Sequence, residues 1–275
     1  MARQLTQEQR TVRNTDSFRR AFVNLHMAAV PVVLIRTREP FRAMDALRDL
    51  AFSEDDMQFK SWSVVHGWAT YDRANPERPP SVDGVVDPFR ALQMINGVGQ
   101  PNGGNRQGNG QAPGWENGIY VMMYPHLVNL NKNPALIHII KEYSRIFAEN
   151  RKRLAFVTTP GFELPPELED DVVIMEFETP SYAELSDSYD RTIDGLPEAK
   201  RPTFDNADRN RILSTGAGMT MQEFENALAR SLVENRNELP DVPIDDVQAV
   251  MSKAKTEVVK KTDVLELIPS EDMNN

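Results

Sequence analysis

Apolar residues along this chain change their spacing several times, and each change marks an element. VPVVLIRT, residues 30–37, is an uninterrupted β-branched run of the kind that fills strands buried on both faces. Phe41, Met44, Leu47 and Leu50 then recur at helical spacing over residues 40–52, so the two segments read as one strand and helix unit. Ahead of them, residues 8–29 alternate charge with Phe18, Phe22, Leu25 and Met27, which predicts a helix with one modest apolar face. FKSWSVVHGW, residues 59–68, reads as a second strand, and DPFRALQMI, residues 87–95, as a short helix capped by Asp87 with Pro88 at its first position. Beyond residue 118 the alternation resumes: a strand over 118–124, a helix over about 133–150, a strand at LAFVTT (154–159), the loop PGFELPPELED and a strand at VVIMEF (172–177). Strands alternating with helices at this spacing predict an α/β fold, a parallel sheet with helices on both faces.

From residue 180 onward the strand signal disappears. Helices are predicted over 181–193, about 205–216, 220–236 and 243–262, with LPEAKRPTF as a connector. Thr220 and Glu223 have capping-box spacing, and Met219 and Phe224 the spacing of a hydrophobic staple. The expected organisation is an N-terminal helix (1–29), an α/β domain (30–180), a small all-α domain (181–268) and a short tail or linker (269–275). Within the α/β domain, residues 96–118 are too rich in Gly, Asn, Gln and Pro to bury anything and are expected to form a mobile loop. Arg106 and Trp115 are its natural partner contacts.

Composition narrows the chemistry. With 275 residues the chain has ample length for a hydrophobic core, and with no cysteine it has no disulfides, thiolate metal sites or cysteine nucleophile. A metal would need His and carboxylates alone. A net charge of −10 argues against broad binding to nucleic acid, although arginines cluster in the first fifty residues. No apolar run approaches the ~20 residues of a membrane-spanning helix, so the expectation is a protein of the cytoplasm with no membrane partner.

A phosphate-binding loop needs GxxxxGK[ST], because backbone N–H groups cradle the phosphates, Lys reaches the terminal ones and the hydroxyl binds magnesium. No such string occurs. Directly after the first strand the chain reads IRTREPFRAM, where Arg36, Arg38 and Arg42 could meet an anion at a helix N-terminus but no glycine permits close approach. A solvated loop with Glu39 nearby is the plainer expectation. The glycines of 96–118 are irregularly spaced, lack a following lysine and precede a strand, so a flexible loop explains them better. His66 and His126 each follow an apolar strand and are placed at the carboxyl edge of the sheet, where ligands of open α/β folds bind. With no HExxH and no GxSxG, they do not by themselves define a metal or hydrolase site. ELPPELEDD (163–171) reads as a solvated acidic loop.

The order of elements and several strings together resemble the AAA+ ATPase superfamily, with its Rossmann-like core and helical lid. They are above all similar to the non-catalytic N-terminal half of the AAA proteins first noted as hypothetical chloroplast reading frames, with relatives in cyanobacteria and phages. The strings are VVLIRTREPFRAMDAL, LPPELEDDVVIMEFETPSYAEL, and GMTMQEFENALARSL followed by KAKTEVVKKTDVLELI. The resemblance implies that residues 119–123 form the Walker B strand, with Tyr124, Pro125 and His126 where active relatives carry acids. It also implies that Thr158 and Thr159 lie near the sensor position and that 205–265 form the lid.

Missing phosphate loop, replaced Walker B acids and no lid arginine motif imply a degenerate module with no catalytic residues and no cofactor of its own, serving assembly into a ring or docking of a protein partner. ATP and magnesium would belong to a parent ATPase whose active module follows KKTDVLELIPSEDMNN; the alternative is a natural protein that kept only this half. A competing expectation is an ATP-binding or weakly hydrolysing protein that uses an unconventional phosphate site at Arg36, Thr37, Arg38 and Thr158, with His66 and His126 at the same sheet edge. A nucleic-acid-associated protein is a third. The cellular setting implied is a bacterium or phage-infected host.

Overall fold

A computed structural model describes residues 13–96, 115 and 117–266 of the chain. Its contacts divide the molecule into two compact units: one of Thr15–Glu178, the other starting at Thr179 and including Arg13 and Asn14. The elements from the first described helix are α1 (Asn14–Met27), β1 (Val32–Arg36), α2 (Pro40–Ser53), β2 (Gln58–Ser63), β3 (Gly67–Thr70), β4 (Ser81–Val82) and α3 (Pro88–Ile95). They continue with β5 (Gly118–Met123), α4 (Pro134–Glu149), β6 (Lys152–Thr158) and β7 (Val172–Glu176).

The seven strands form one sheet in the order β4-β3-β2-β5-β6-β1-β7. The ladders joining β2, β5, β6, β1 and β7 are all parallel. Side chains alternate between faces along each strand, so uninterrupted apolar runs feed two cores at once. On one face Leu34, Trp62, Tyr120, Met122 and Phe156 pack with residues of α3 and α4; on the other Val33, Ile35, Ile119, Val121 and Val157 pack with α1 and α2. Asp87 caps α3 by accepting from Arg90 N, as its spacing predicts.

Three expectations need correction. The single strand over 59–68 is a hairpin: β2 turns and returns antiparallel as β3, pairing Trp62 with Trp68 and Ser63 with Gly67. Gly67 sits at φ +73°, and a Cβ there would lie 2.4 Å from Val85 N, so this glycine closes the turn. The hairpin and β4 make the sheet mixed at that edge. The acidic segment 163–171 is not a simple solvated loop, since Leu168 within it and Phe162 just before it are buried in the core. Asp171 accepts from Lys141 Nζ (2.9 Å) and Ser144 Oγ (3.1 Å) of α4.

The third correction concerns the start of β6, which begins at Lys152, two residues before the expected strand. Lys152 and Arg153 are 7% and 2% exposed. Among the described residues no carboxylate pairs with either; carbonyls near helix C-termini accept their hydrogen bonds. Lys152 Nζ donates to Ile95 O at the end of α3 (2.8 Å), while Arg153 donates to His26 O of α1 (2.8 Å) and Phe147 O of α4 (3.4 Å). Cations complement both the orphan carbonyls and the negative end of each helix dipole. Desolvation lowers both pKa values from their ordinary range. Burial, followed by Arg153 and Arg151, also pushes His26 below 6.5, against smaller opposing effects of Glu54 and Asp56.

The second unit contains α5 (Tyr182–Asp194), α6 (Asn206–Gly216), α7 (Met221–Glu234) and α8 (Ile244–Glu266). Capping boxes start α5 at Ser181/Glu184 and α7 at Thr220/Glu223. Met219 and Phe224 share its core with Leu185, Leu213, Leu228 and Met251. Gly216 ends α6 against the Phe224 ring, and a Cβ there would lie 2.4 Å from Cδ2.

Removing the guanidinium that ties two helix ends to β6 carries a large expected cost. Arg153→Ala should lower the unfolding free energy by about 2–4 kcal/mol in urea titrations, with Arg153→Lys recovering only part; a loss below about 0.5 kcal/mol would contradict the carbonyl account. The folded chain takes up a proton at His26 at lower pH than the unfolded chain. Stability should therefore rise with pH from the depressed folded value up to 6.5 and flatten above it, and His26→Gln should remove that slope from a pH series of urea midpoints. Gly216→Ala forces a methyl into a ring with no room to move and should cost about 1–3 kcal/mol by calorimetry.

Candidate functional site

Parallel strands β1, β5 and β6 end together at the carboxyl edge, and their neighbouring exits bring the sequence-selected residues into one place. After β1 only Thr37, Arg38 and Glu39 precede α2. Thr37 is buried; its N–H donates to Thr158 O (2.9 Å), and its Oγ1 accepts from Glu39 N (2.9 Å). Glu39, at the N-cap position of α2, is also buried and pairs with Arg42 at 2.5 Å. Arg42 further donates to Thr15 Oγ1 (3.2 Å) and to Glu178 O, and lies 4.5 Å over the Phe177 ring.

The expected solvated loop is thus a buried, internally bonded link, and Arg42 is committed to holding it. A carboxylate at a helix start is favourable with the helix dipole, and it repels a second anion from the same place. Arg36, half-buried, pairs with Thr158 across the β1–β6 ladder, and its Nε is buried with no hydrogen-bond partner among the described residues. Arg38 is exposed.

At the end of β5, Tyr124 adopts the left-handed conformation (φ 54°, ψ 60°), which costs a non-glycine residue of order 1 kcal/mol. Its N–H still donates to Val157 O (2.8 Å), prolonging the ladder by one bond. Pro125 is buried and opens a 3-10 turn, Pro125–Val128. The turn places His126 Nδ1 3.2 Å from Thr158 Oγ1, with the Tyr124 and His126 rings edge to face at 5.7 Å. Burial raises the Tyr124 phenol above its ordinary value, so it stays protonated.

Thr37, Thr158 and His126 therefore form a continuous set of hydrogen-bonding groups flanked by Arg36 and Tyr124. The set offers hydroxyl, imidazole and phenol groups, together with one guanidinium. The buried carboxylate beside it, Glu39, is already paired. Among the described residues no three His, Asp or Glu side chains converge to hold a metal ion.

The remaining selected residues lie elsewhere. His66 is in the β2–β3 turn, its N–H bonded to Ser63 Oγ at 3.2 Å. Thr159 is exposed beyond β6. Arg106, and with it almost all of the 96–118 segment, lies outside the described residues. Trp115, expected on a mobile loop, is packed near the start of β5: it stacks on Tyr120 (5.3 Å), meets Trp68 edge to face (5.0 Å) and carries Lys60 Nζ 4.7 Å over its ring. Glu39 is the residue that sequence reasoning undervalued. Its spacing of three from Arg42 at a helix start was the available signal.

A search of curated protein sequences returns no significant match. Among solved structures, the fold is similar to a chain of the E. coli MS115-1 HORMA:CdnC:Trip13 complex, with a TM-score of 0.52 and 10% identity over 90% of this chain and 91% of that one. It is also similar to a Thermotoga maritima RuvB mutant, with a TM-score of 0.50 and 12% identity over 92% and 72%. At these identities the likeness is one of fold. Residues 18–177 match the model of the SpoVK-like AAA ATPase N-terminal domain, a span that contains the whole sheet and the carboxyl-edge cluster. On that match, and on a Rossmann-like AAA+ sheet followed by helices, the chain belongs to the SpoVK-like AAA ATPase N-terminal domain family.

Proposed function

We propose that this chain is a non-hydrolysing AAA+ module that serves assembly or partner docking, as the N-terminal half of a larger ATPase. The observation that carries the reading is the β1–α2 link. It has three residues, no glycine and a buried Glu39 paired with Arg42 at the helix start, where a phosphate-binding relative would offer free backbone N–H groups. The replacement of Walker B acids by Tyr124, Pro125 and His126 supports it, because none of these supplies a carboxylate to hold magnesium. Partner docking accords with the E. coli relative, whose structure is described as a complex with HORMA and CdnC. Assembly would take the form of an AAA-type ring in the cytoplasm of a bacterium or phage-infected host, with ATP and magnesium held by the active module of the parent. No helix among the described residues is long and apolar enough to cross a membrane.

A second reading has its own observation. Among the described residues Arg36 Nε is buried without a hydrogen-bond partner beside the Thr37–Thr158–His126 cluster, an arrangement that favours an unconventional anion site contacted by Arg36, Thr37 and Thr158.

A thermal-shift assay separates the two. A site with a Kd of about 1 mM would stabilise the chain by about 1 kcal/mol at about 5 mM Mg·ATP, raising Tm by roughly 2–4 °C. The docking reading expects no shift and no phosphate release. A shift abolished by Arg36→Ala would favour the second reading, and magnesium-dependent hydrolysis by this 275-residue chain alone would overturn the first.

A further inference from the structure

Strand β7 ends the sheet on the side of β1. It pairs with β1 alone and has no strand on its other flank among the described residues. Phe177 N donates to Arg36 O (3.0 Å), and alternate residues of a parallel strand turn their backbone the same way, so Val173 and Met175 also face β1. The N–H and C=O groups of Val172, Ile174 and Glu176 therefore point away from the sheet, and no described group bonds them. The side chains agree. Val32 to Ile35 of β1 are at most 1% exposed, whereas Val173 and Ile174, on opposite faces of β7, are 37% and 43% exposed. Val172 enters one core and Met175 packs against the other, so the strand is anchored at both ends and bare in its middle. Val172 to Met175 include no charge and no proline, the usual devices that keep an open edge from pairing.

Outward backbone groups with apolar side chains bare on both faces fit one kind of occupant, an added extended strand. It supplies the missing ladder and covers Val173 and Ile174 together. Charge decides whose strand it is. Glu169 and Asp170 are exposed before β7, and Glu176 and Glu178 are exposed at and just after its end. Lys141 is engaged by Asp171, and Arg42 by Glu39 and the Glu178 carbonyl. Half-buried Arg36, the ladder partner of Glu176, is one charge against four. A second copy of β7 laid antiparallel about Ile174 would set Glu178 against Asp170 at both ends, acid facing acid, which repels. We propose that the open edge of β7 binds an extended segment of a partner polypeptide that is apolar at alternate central positions and carries lysine or arginine at both ends. The proposal rests on the docking reading and names its surface.

The test titrates the 15N-labelled full chain with a terminally blocked peptide of alternating valine and threonine flanked by lysine pairs. It should give saturable amide shifts confined to residues 168–178. At saturation, hydrogen exchange should slow at the outward amides of Val172, Ile174 and Glu176 and change little at Val173 and Met175, which already face β1. N-methylation of the peptide's central amides should abolish binding, and glutamates in place of its lysines should weaken it about tenfold or more. Ile174→Pro, tolerable on an edge whose N–H faces solvent, should weaken it about tenfold. Shifts that do not localise to β7, unaltered exchange at the three outward amides, or equal binding of the N-methylated or glutamate peptide would each overturn the proposal. The peptide variants decide it whatever Ile174→Pro does to folding. No nucleotide is present in the titration, so its failure strikes this edge alone, whereas Mg·ATP hydrolysis strikes the docking reading.

Discussion

Strand β6 is paired on both sides, with β5 and with β1, and both ends of this one strand carry polar groups that the rest of the unit must satisfy. At its amino end, Lys152 and Arg153 are drawn out of water and bound by carbonyls at the ends of α1, α3 and α4. At its carboxyl end, Thr158 is fully buried and meets Thr37 through its carbonyl and His126 through its hydroxyl. The helices on both faces are thus held to the central strand by charge and hydrogen bonding as well as by apolar packing. A buried cation without a carboxylate is costly in isolation; here several aligned carbonyls share its charge.

The carboxyl edge has the position of a ligand site in an open α/β sheet, yet its electrostatics are those of a closed one. Glu39 places a negative group at the start of α2, and Arg42 fastens it to Glu178 and Phe177 of the same unit. The strained Tyr124 turns the chain so that His126 reaches Thr158. Such a set of internal partners stabilises a fixed edge, whereas a phosphate site needs donors left open until the ligand arrives. The functional reading follows from that difference more than from any single substitution.

Much of the fold could be read from local pattern. The β-branched run 30–37, the helical spacing of 40–52, the Asp87 cap and the Thr220/Glu223 box all depend on neighbours within a few residues, and all appear in the structure. The cluster of Arg36, Thr37, Tyr124, His126 and Thr158 could be anticipated because parallel strands deliver their exits to one edge. Local pattern misjudged the positions whose environment comes from distant chain: the hairpin closed by Gly67 under Val85, the burial of Lys152 and Arg153 beneath helix ends, the packing of Trp115 on Tyr120, and the burial of Glu39. Periodicity reports which face of an element is apolar, and so the sequence alone determined the parallel strands, the main helices and their order, but not the β2–β3 hairpin or β4. Whether a charged group is solvated, paired or left open depends on which carbonyls and rings the folded chain brings within a few ångströms of it, and only the tertiary structure decided that.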